Sequence, residues 1–174
     1  IGSDVSHTDA AEMLSMLRDS VMVKKRIVNE DPHEKGLRRA LNLGHTVGHA
    51  LESFSHECHS PLPHGYAVAY GLLAEMIISH IELGFPSSAL HEMAAFLKEN
   101  YTASSLGMPV QPFPAITCDN YDRLIELMSH DKKNATSRDI NFTLLETPGR
   151  PLIDRTASRE TITAALDIMR DMTV

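Results

Sequence analysis

The chain has 174 residues, 43% of them hydrophobic and 22% charged, which is ordinary for one soluble domain with a real core. Its formal net charge of −7 argues against nucleic acid or an anionic membrane as a partner. Two cysteines predict no disulfide framework and favour a reduced, cytoplasmic protein. No signal peptide and no apolar run of membrane-spanning length is expected. The first residue is Ile1 rather than Met, which fits either a fragment or processing.

Hydrophobic periodicity predicts a mainly α fold, a helical bundle with one small β-hairpin near the C-terminus, in a single domain over residues 1–174. The expected helices cover about residues 9–29, 36–55, 64–83, 87–100, 119–129 and 158–171. The helix after His64 is apolar most of the way round, so it should lie at the centre of the bundle and stop at Gly84. A strand from Ile140 should turn at Pro148-Gly149, with Leu152-Ile153 as its partner.

The central predicted helix carries an unusual polar face. Arg38, Asn42, His45 and His49 recur every three or four residues, which places them on one side of a helix. Such a face suits neither a solvated surface nor a core, and it favours a pocket for an anion and a metal. Gly44 and Gly48, four residues apart, indicate close approach by another backbone or by a ligand.

Histidines from two different elements of this region are candidate metal ligands. His45 and His49 have the i, i+4 spacing of helical zinc sites, but Thr46 follows His45, so the HExxH metalloprotease motif is excluded. His64, in a loop flanked by prolines, could supply a ligand from a second element. A catalytic zinc site needs about three protein ligands, so a further one must come from elsewhere. The cluster His56, Cys58 and His59 matches no zinc spacing and is interpreted as a surface loop.

Several side chains could bind an anionic substrate through carboxylate or phosphate groups. These are Lys24, Arg38, Asn42, His49 and the pair Lys132 and Lys133. Lys24 also lies near the end of the first helix, where a cation simply favours the helix dipole. The chain lacks a strand–GxGxxG–helix signature and has too few strands for a parallel sheet, so it should not bind a dinucleotide in the usual way.

The order and spacing of these residues resemble the C-terminal half of 3-dehydroquinate synthase. The matching motifs are Lys24, Glu34-x-Gly36-Leu37-Arg38, Asn42-x-Gly44-His45-Thr46-x-Gly48-His49-Ala50-x-Glu52, His64-Gly65-x-Ala67-Val68-Ala69-x-Gly71 and Asp131-Lys132-Lys133-Asn134. The chain departs from the family at Pro32-His33, which puts any role of those two positions in doubt.

The resemblance implies conversion of 3-deoxy-D-arabino-heptulosonate 7-phosphate to 3-dehydroquinate and phosphate in the shikimate pathway, with bound NAD and a divalent metal, usually zinc. It also implies a role for each matching residue. His45 and His64 would bind the metal, Glu34 and His49 would accept protons, Lys24 and Arg38 would bind the substrate carboxylate, and Asn42, His49 and either Lys132 or Lys133 would bind its phosphate.

The family's glutamate metal ligand and NAD-binding loop lie in an N-terminal α/β domain that is absent from this chain. The chain alone is therefore expected to be inactive and to bind metal weakly, and the intact enzyme is expected to be a homodimer. Alternatives are another sugar-phosphate cyclase such as 2-deoxy-scyllo-inosose synthase, a metal-dependent polyol dehydrogenase, and a helical interaction module without catalysis.

Overall fold

A computed structural model describes residues 9–101, 116–129 and 140–173. By its internal contacts the chain divides into two compact units, residues 1–41 and 42–174. The boundary falls inside the segment that was expected to form one continuous helix. The single domain over residues 1–174 stays a prediction.

The first unit contains helix α1, Ala10–Glu30, and the turn that follows it. Asp9 caps the helix by accepting a hydrogen bond from the Glu12 N–H at 2.8 Å. None of the residues of α1, all of which are described, is buried. Its predicted apolar stripe therefore stays exposed, with Leu14 67% and Val21 63% accessible.

The turn after α1 is organised by Asp31. Its carboxylate accepts backbone N–H bonds from Lys35 at 3.0 Å, Gly36 at 2.7 Å and Arg38 at 3.2 Å. These bonds favour the charged carboxylate and hold the pKa of Asp31 below its usual value. The helix thus ends at Asp31-Pro32, and Asp31 also organises the segment that contains Glu34 and Arg38.

The predicted continuous helix over residues 36–55 is wrong. A 3₁₀ helix covers Leu37–Asn42, and helix α2, His45–Glu57, starts only after Gly44 adopts a left-handed conformation with φ 80°. The backbone N–H of Gly44 is bonded to the side chain of Glu75 instead of to a preceding helical carbonyl. Arg38 and Asn42 therefore do not share one helical face with His45 and His49.

The second unit is a helical bundle with one antiparallel hairpin, which confirms the predicted fold class. Its elements are α2, α3 (His64–Leu83), α4 (Ser87–Asn100), a 3₁₀ turn (Cys118–Asn120), α5 (Tyr121–Ser129), β1 (Ile140–Thr147), β2 (Arg150–Ala157) and α6 (Arg159–Thr173). The strands turn at Pro148-Gly149 and pair Leu144 with Leu152, as predicted. They are longer than the sequence indicated.

Helix α3 is the centre of this unit and packs against α2, α4, α6 and β1. Its bounds agree with the prediction, and Gly84 ends it in a left-handed conformation with φ 75°. Its length and hydropathy are sufficient to span a bilayer. This finding contradicts the expectation that the chain has no apolar run of membrane-spanning length. However, 56% of its most apolar stretch is buried, which is typical of the core helix of a bundle.

Candidate metal centre

Three histidine side chains come together where α2 and α3 begin. His45 and His49 lie one turn apart on α2, and His64 is the first residue of α3. One ligand nitrogen from each ring lies within 4.8 Å of the other two, and the ring centroids are 5.4 to 5.7 Å apart. Zinc–nitrogen bonds of about 2.0–2.1 Å separate two bound nitrogens by at most about 4.2 Å. In a tetrahedral site the bound nitrogens lie about 3.4 Å apart, so rings that share one ion would have to approach each other by up to about 1.4 Å.

Hydrogen bonds set the tautomer of two of these rings. Nδ1 of His45 lies 3.1 Å from the carbonyl oxygen of Leu43, and Nδ1 of His64 lies 2.9 Å from a carboxylate oxygen of Glu52. Both oxygens can only accept, so each Nδ1 must carry the proton and donate it. In the neutral rings the lone pair then resides on Nε2, the state in which histidine binds metals.

Glycine contacts allow α2 and α3 to approach closely enough for this arrangement. A Cβ on Gly71 would lie 2.5 Å from the backbone nitrogen of Gly48, and one on Gly44 would lie 2.9 Å from that of Leu72. A Cβ on Gly48 would lie 3.0 Å from Cα of Val68. Of the two explanations left open for Gly44 and Gly48, close approach by another backbone is confirmed.

Glu75 on α3 holds the first turn of α2 in place. Its buried carboxylate accepts the N–H groups of Gly44 at 2.6 Å and Val47 at 3.2 Å. These are N–H groups that the start of a helix leaves without an intrahelical partner, so Glu75 caps α2 from a distant part of the chain. Burial outweighs these bonds and raises the pKa of Glu75 to about 8. Sequence reasoning missed this residue, although a carboxylate within an otherwise apolar helix was the available signal.

Two candidate residues of the first unit, Glu34 and Arg38, lie close to each other. Glu34 adopts a backbone φ of 53°, and its carboxylate lies 4.0 Å from the guanidinium of Arg38. Arg38 also donates to the carbonyl oxygen of Pro32 at 3.0 Å. Lys24 is exposed on α1. Their predicted placement beside the histidines stays a prediction.

The remaining predicted residues have different outcomes. Asn42 is half-buried at the end of the 3₁₀ helix. Lys132 and Lys133 lie outside the described residues. His56, Cys58 and His59 are exposed as expected, but the predicted loop is wrong for His56, which lies in the last turn of α2, and only Cys58 and His59 lie in the turn after it.

The chain shares its fold with part of a solved enzyme structure. A solved 2-deoxy-scyllo-inosose synthase, described as complexed with carbaglucose-6-phosphate, NAD+ and Co2+, superposes with a TM-score of 0.71 over 94% of this chain and 42% of that one. The two sequences are 19% identical, so the likeness shows a shared fold.

The sequence comparisons show the family to which the chain belongs. The family described as 3-dehydroquinate synthase C-terminal matches residues 2–134. The 3-dehydroquinate synthase of Parabacteroides distasonis is 42% identical over 97% of this chain and 44% of its own length. Those of Pyrococcus furiosus and Staphylococcus carnosus are 40% and 35% identical over 74% and 79% of the chain. The chain belongs to the 3-dehydroquinate synthase family, as the resemblance indicated, and it spans less than half the length of these relatives.

Proposed function

We propose that this chain is the metal- and substrate-binding C-terminal part of a 3-dehydroquinate synthase. Such an enzyme converts 3-deoxy-D-arabino-heptulosonate 7-phosphate to 3-dehydroquinate with elimination of phosphate, a lyase reaction of the shikimate pathway that leads to aromatic amino acids. The observation that carries the proposal is the cluster of His45, His49 and His64. Family membership and the relatives' names support the reaction.

The residues present fit a divalent metal such as zinc. Imidazole nitrogen is a preferred zinc ligand, and the anchored Nδ1 atoms of His45 and His64 leave Nε2 as the metal-binding nitrogen. In the proposed assignment these two rings hold the ion. The ion supplies Lewis-acid polarisation of a substrate hydroxyl. His49, exposed beside them, is assigned to accept a proton and contact the phosphate.

The charged loop after α1 would orient the substrate. Arg38, in the 3₁₀ helix, donates to the Pro32 carbonyl and lies near Glu34, so a cation for the substrate carboxylate and a candidate base occupy one preorganised segment. Lys24 would assist at the carboxylate. The phosphate would bind Asn42 together with Lys132 or Lys133.

The other parts of the enzyme are proposed to lie outside this chain. NAD would bind mainly to an N-terminal α/β domain, which would also supply a glutamate metal ligand. The sugar phosphate is the expected small-molecule partner, and the intact enzyme is expected to be a cytoplasmic homodimer that binds neither nucleic acid nor membrane.

A chimera tests the proposal without knowledge of the natural N-terminal sequence. The C-terminal 44% of the Parabacteroides distasonis enzyme would be replaced by this chain, to which it is 42% identical. Phosphate release from the heptulosonate phosphate would then be measured with NAD and zinc. We expect turnover, and we expect its loss in a matched chimera carrying His45→Ala. A chimera that folds and binds NAD and zinc but releases no phosphate would contradict the proposal.

Two further arms of this assay separate the alternatives. The isolated chain should be inactive, and clear turnover by it would refute the proposed need for an N-terminal domain. Glucose 6-phosphate offers a phosphate but no carboxylate, so a chimera that prefers it would favour the 2-deoxy-scyllo-inosose synthase alternative.

A further inference from the structure

We propose that Glu52 is a positioning residue for the metal centre, which holds the His64 ring in the tautomer that binds metal. The inference rests on the proposed function, since it concerns the same site. Its basis is the hydrogen bond of 2.9 Å between Nδ1 of His64 and Oε2 of Glu52. A metal-bound histidine commonly donates its other ring N–H to a carboxylate, which fixes the tautomer and the ring orientation.

The location of Glu52 makes this contact specific to the site. Glu52 follows His49 by three residues and His45 by seven, so all three lie on one face of α2. His64 comes from a different helix, after the six-residue connection 58–63. The helix that carries two of the histidines therefore also orients the third.

The His64 ring needs such a restraint. Its side chain is 54% exposed, whereas that of Glu52 is 28% exposed. A half-exposed imidazole at the first position of a helix can occupy several rotamers and either tautomer. The carboxylate selects one of these states before a metal binds, which lowers the ordering cost of binding.

The backbone of His64 is held by other contacts, so loss of the Glu52 carboxylate should not displace it. Ser55 accepts a hydrogen bond from the buried Leu62 N–H at 2.9 Å and donates to the Glu52 carbonyl at 2.6 Å. Pro63 accepts the N–H groups of Tyr66 and Ala67 at 2.9 and 3.1 Å. The role of the carboxylate can therefore be separated from the fold of the connection.

The competing explanation is an ordinary surface ion pair between α2 and α3, which would contribute little to stability and nothing to metal binding. Glu57 provides a matched control. It lies on the same helix and pairs with Arg123 at 2.6 Å, and no histidine of the cluster takes part in that ion pair. Replacing Glu57 changes the charge of α2 by the same amount and leaves the His64 contact intact.

The test is a Co2+ titration of the chain at pH 8, followed by visible absorption, for the unmodified chain, Glu52→Ala, Glu52→Gln and Glu57→Ala. Removing a partner that orients a metal ligand typically weakens binding about 10- to 100-fold. We expect that loss for Glu52→Ala, a smaller loss for Glu52→Gln because the amide oxygen can still accept the Nδ1 proton, and a change under about twofold for Glu57→Ala. Equal affinities for Glu52→Ala and Glu57→Ala would overturn the inference.

A second readout uses the metal-free chain. Nitrogen NMR of the His64 ring should show the proton on Nδ1 in the unmodified chain and a shift toward the Nε2-protonated form in Glu52→Ala. An unchanged tautomer in Glu52→Ala would overturn the inference. If the unmodified chain binds no Co2+, the same titration is made on the chimera with the N-terminal part of the Parabacteroides distasonis enzyme; if the chimera also binds none, the proposed metal centre fails, and the tautomer measurement alone decides the role of Glu52.

Discussion

Replacing Gly71 by alanine should separate the two helices that carry the histidine cluster. An added Cβ would lie 2.5 Å from the backbone nitrogen of Gly48 and 2.9 Å from its Cα. Ordinary contact begins near 3.4 Å, so α2 and α3 would have to move apart by about 1 Å. The opposing atoms belong to a helix backbone and cannot rotate away as a side chain could.

The expected cost follows from two opposing contributions. Overpacking costs typically 1–3 kcal/mol, and contact with backbone should place Gly71→Ala at about 3 kcal/mol. The higher helix propensity of alanine returns about 1 kcal/mol. The net loss of unfolding free energy should be about 2 kcal/mol, or roughly 4–8 °C in Tm for a chain of this size.

Gly65→Ala is the matched control for this prediction. Gly65 lies in the same helix, and an added Cβ there meets no atom within 4 Å. This variant should be unchanged or more stable by up to about 1 kcal/mol. Urea unfolding followed by circular dichroism measures both, and Co2+ affinity should fall in Gly71→Ala as His64 moves away from α2. Equal stability of the two variants would refute the close-packing argument.

The remaining predictions concern two buried polar side chains. Burial raises the pKa of Glu75 from 4.5 to about 8, so the folded chain keeps a proton that the unfolded chain loses. The free energy of unfolding should therefore fall by up to about 5 kcal/mol as pH rises from about 4.5 to about 8, and a pH series of urea unfolding with Glu75→Gln should lack that slope. If the unmodified chain and Glu75→Gln lose stability equally with rising pH, Glu75 is not the group that causes this pH dependence. Ser55→Ala leaves the buried Leu62 N–H without its acceptor, so it should lower the free energy of unfolding by about 1–3 kcal/mol, measured by thermal unfolding. The control Ser53→Ala, at an exposed position of α2, should lower it by less than about 0.5 kcal/mol. Equal losses would show that the Ser55 contact contributes nothing.

Much of the fold was predictable because its signals are local. The bounds of α3 follow from a continuous apolar stretch and a terminal glycine, and α6 follows from Ser158, whose hydroxyl accepts the Thr161 N–H at 3.2 Å. The hairpin follows from alternating side chains on either side of Pro148-Gly149. Each signal lies within a few residues of the feature that it predicts.

The candidate site was predictable in its residues but not in its geometry. The i, i+4 spacing identified His45 and His49, the loop flanked by prolines suggested His64, and the resemblance assigned His45 and His64 to the metal. The spacing argument that joined Arg38 to His45 and His49 failed, because it assumed an unbroken helix through Gly44. The capping carboxylate of Glu75 was missed, and Glu52 was named only as part of the family motif, without its contact to His64.

The sequence by itself determined most of the helices, the hairpin, the family and the candidate ligands His45 and His49, because these depend on periodicity, turn chemistry and residue order. Only the tertiary structure decided where the central helix breaks and how His64 meets that pair. Both depend on contacts between residues distant in the chain. The Gly44 N–H finds its acceptor 31 positions away at Glu75, and the glycine contacts between α2 and α3 set the separation of the rings. No local pattern encodes such a distance, because it results from the packing of two whole helices.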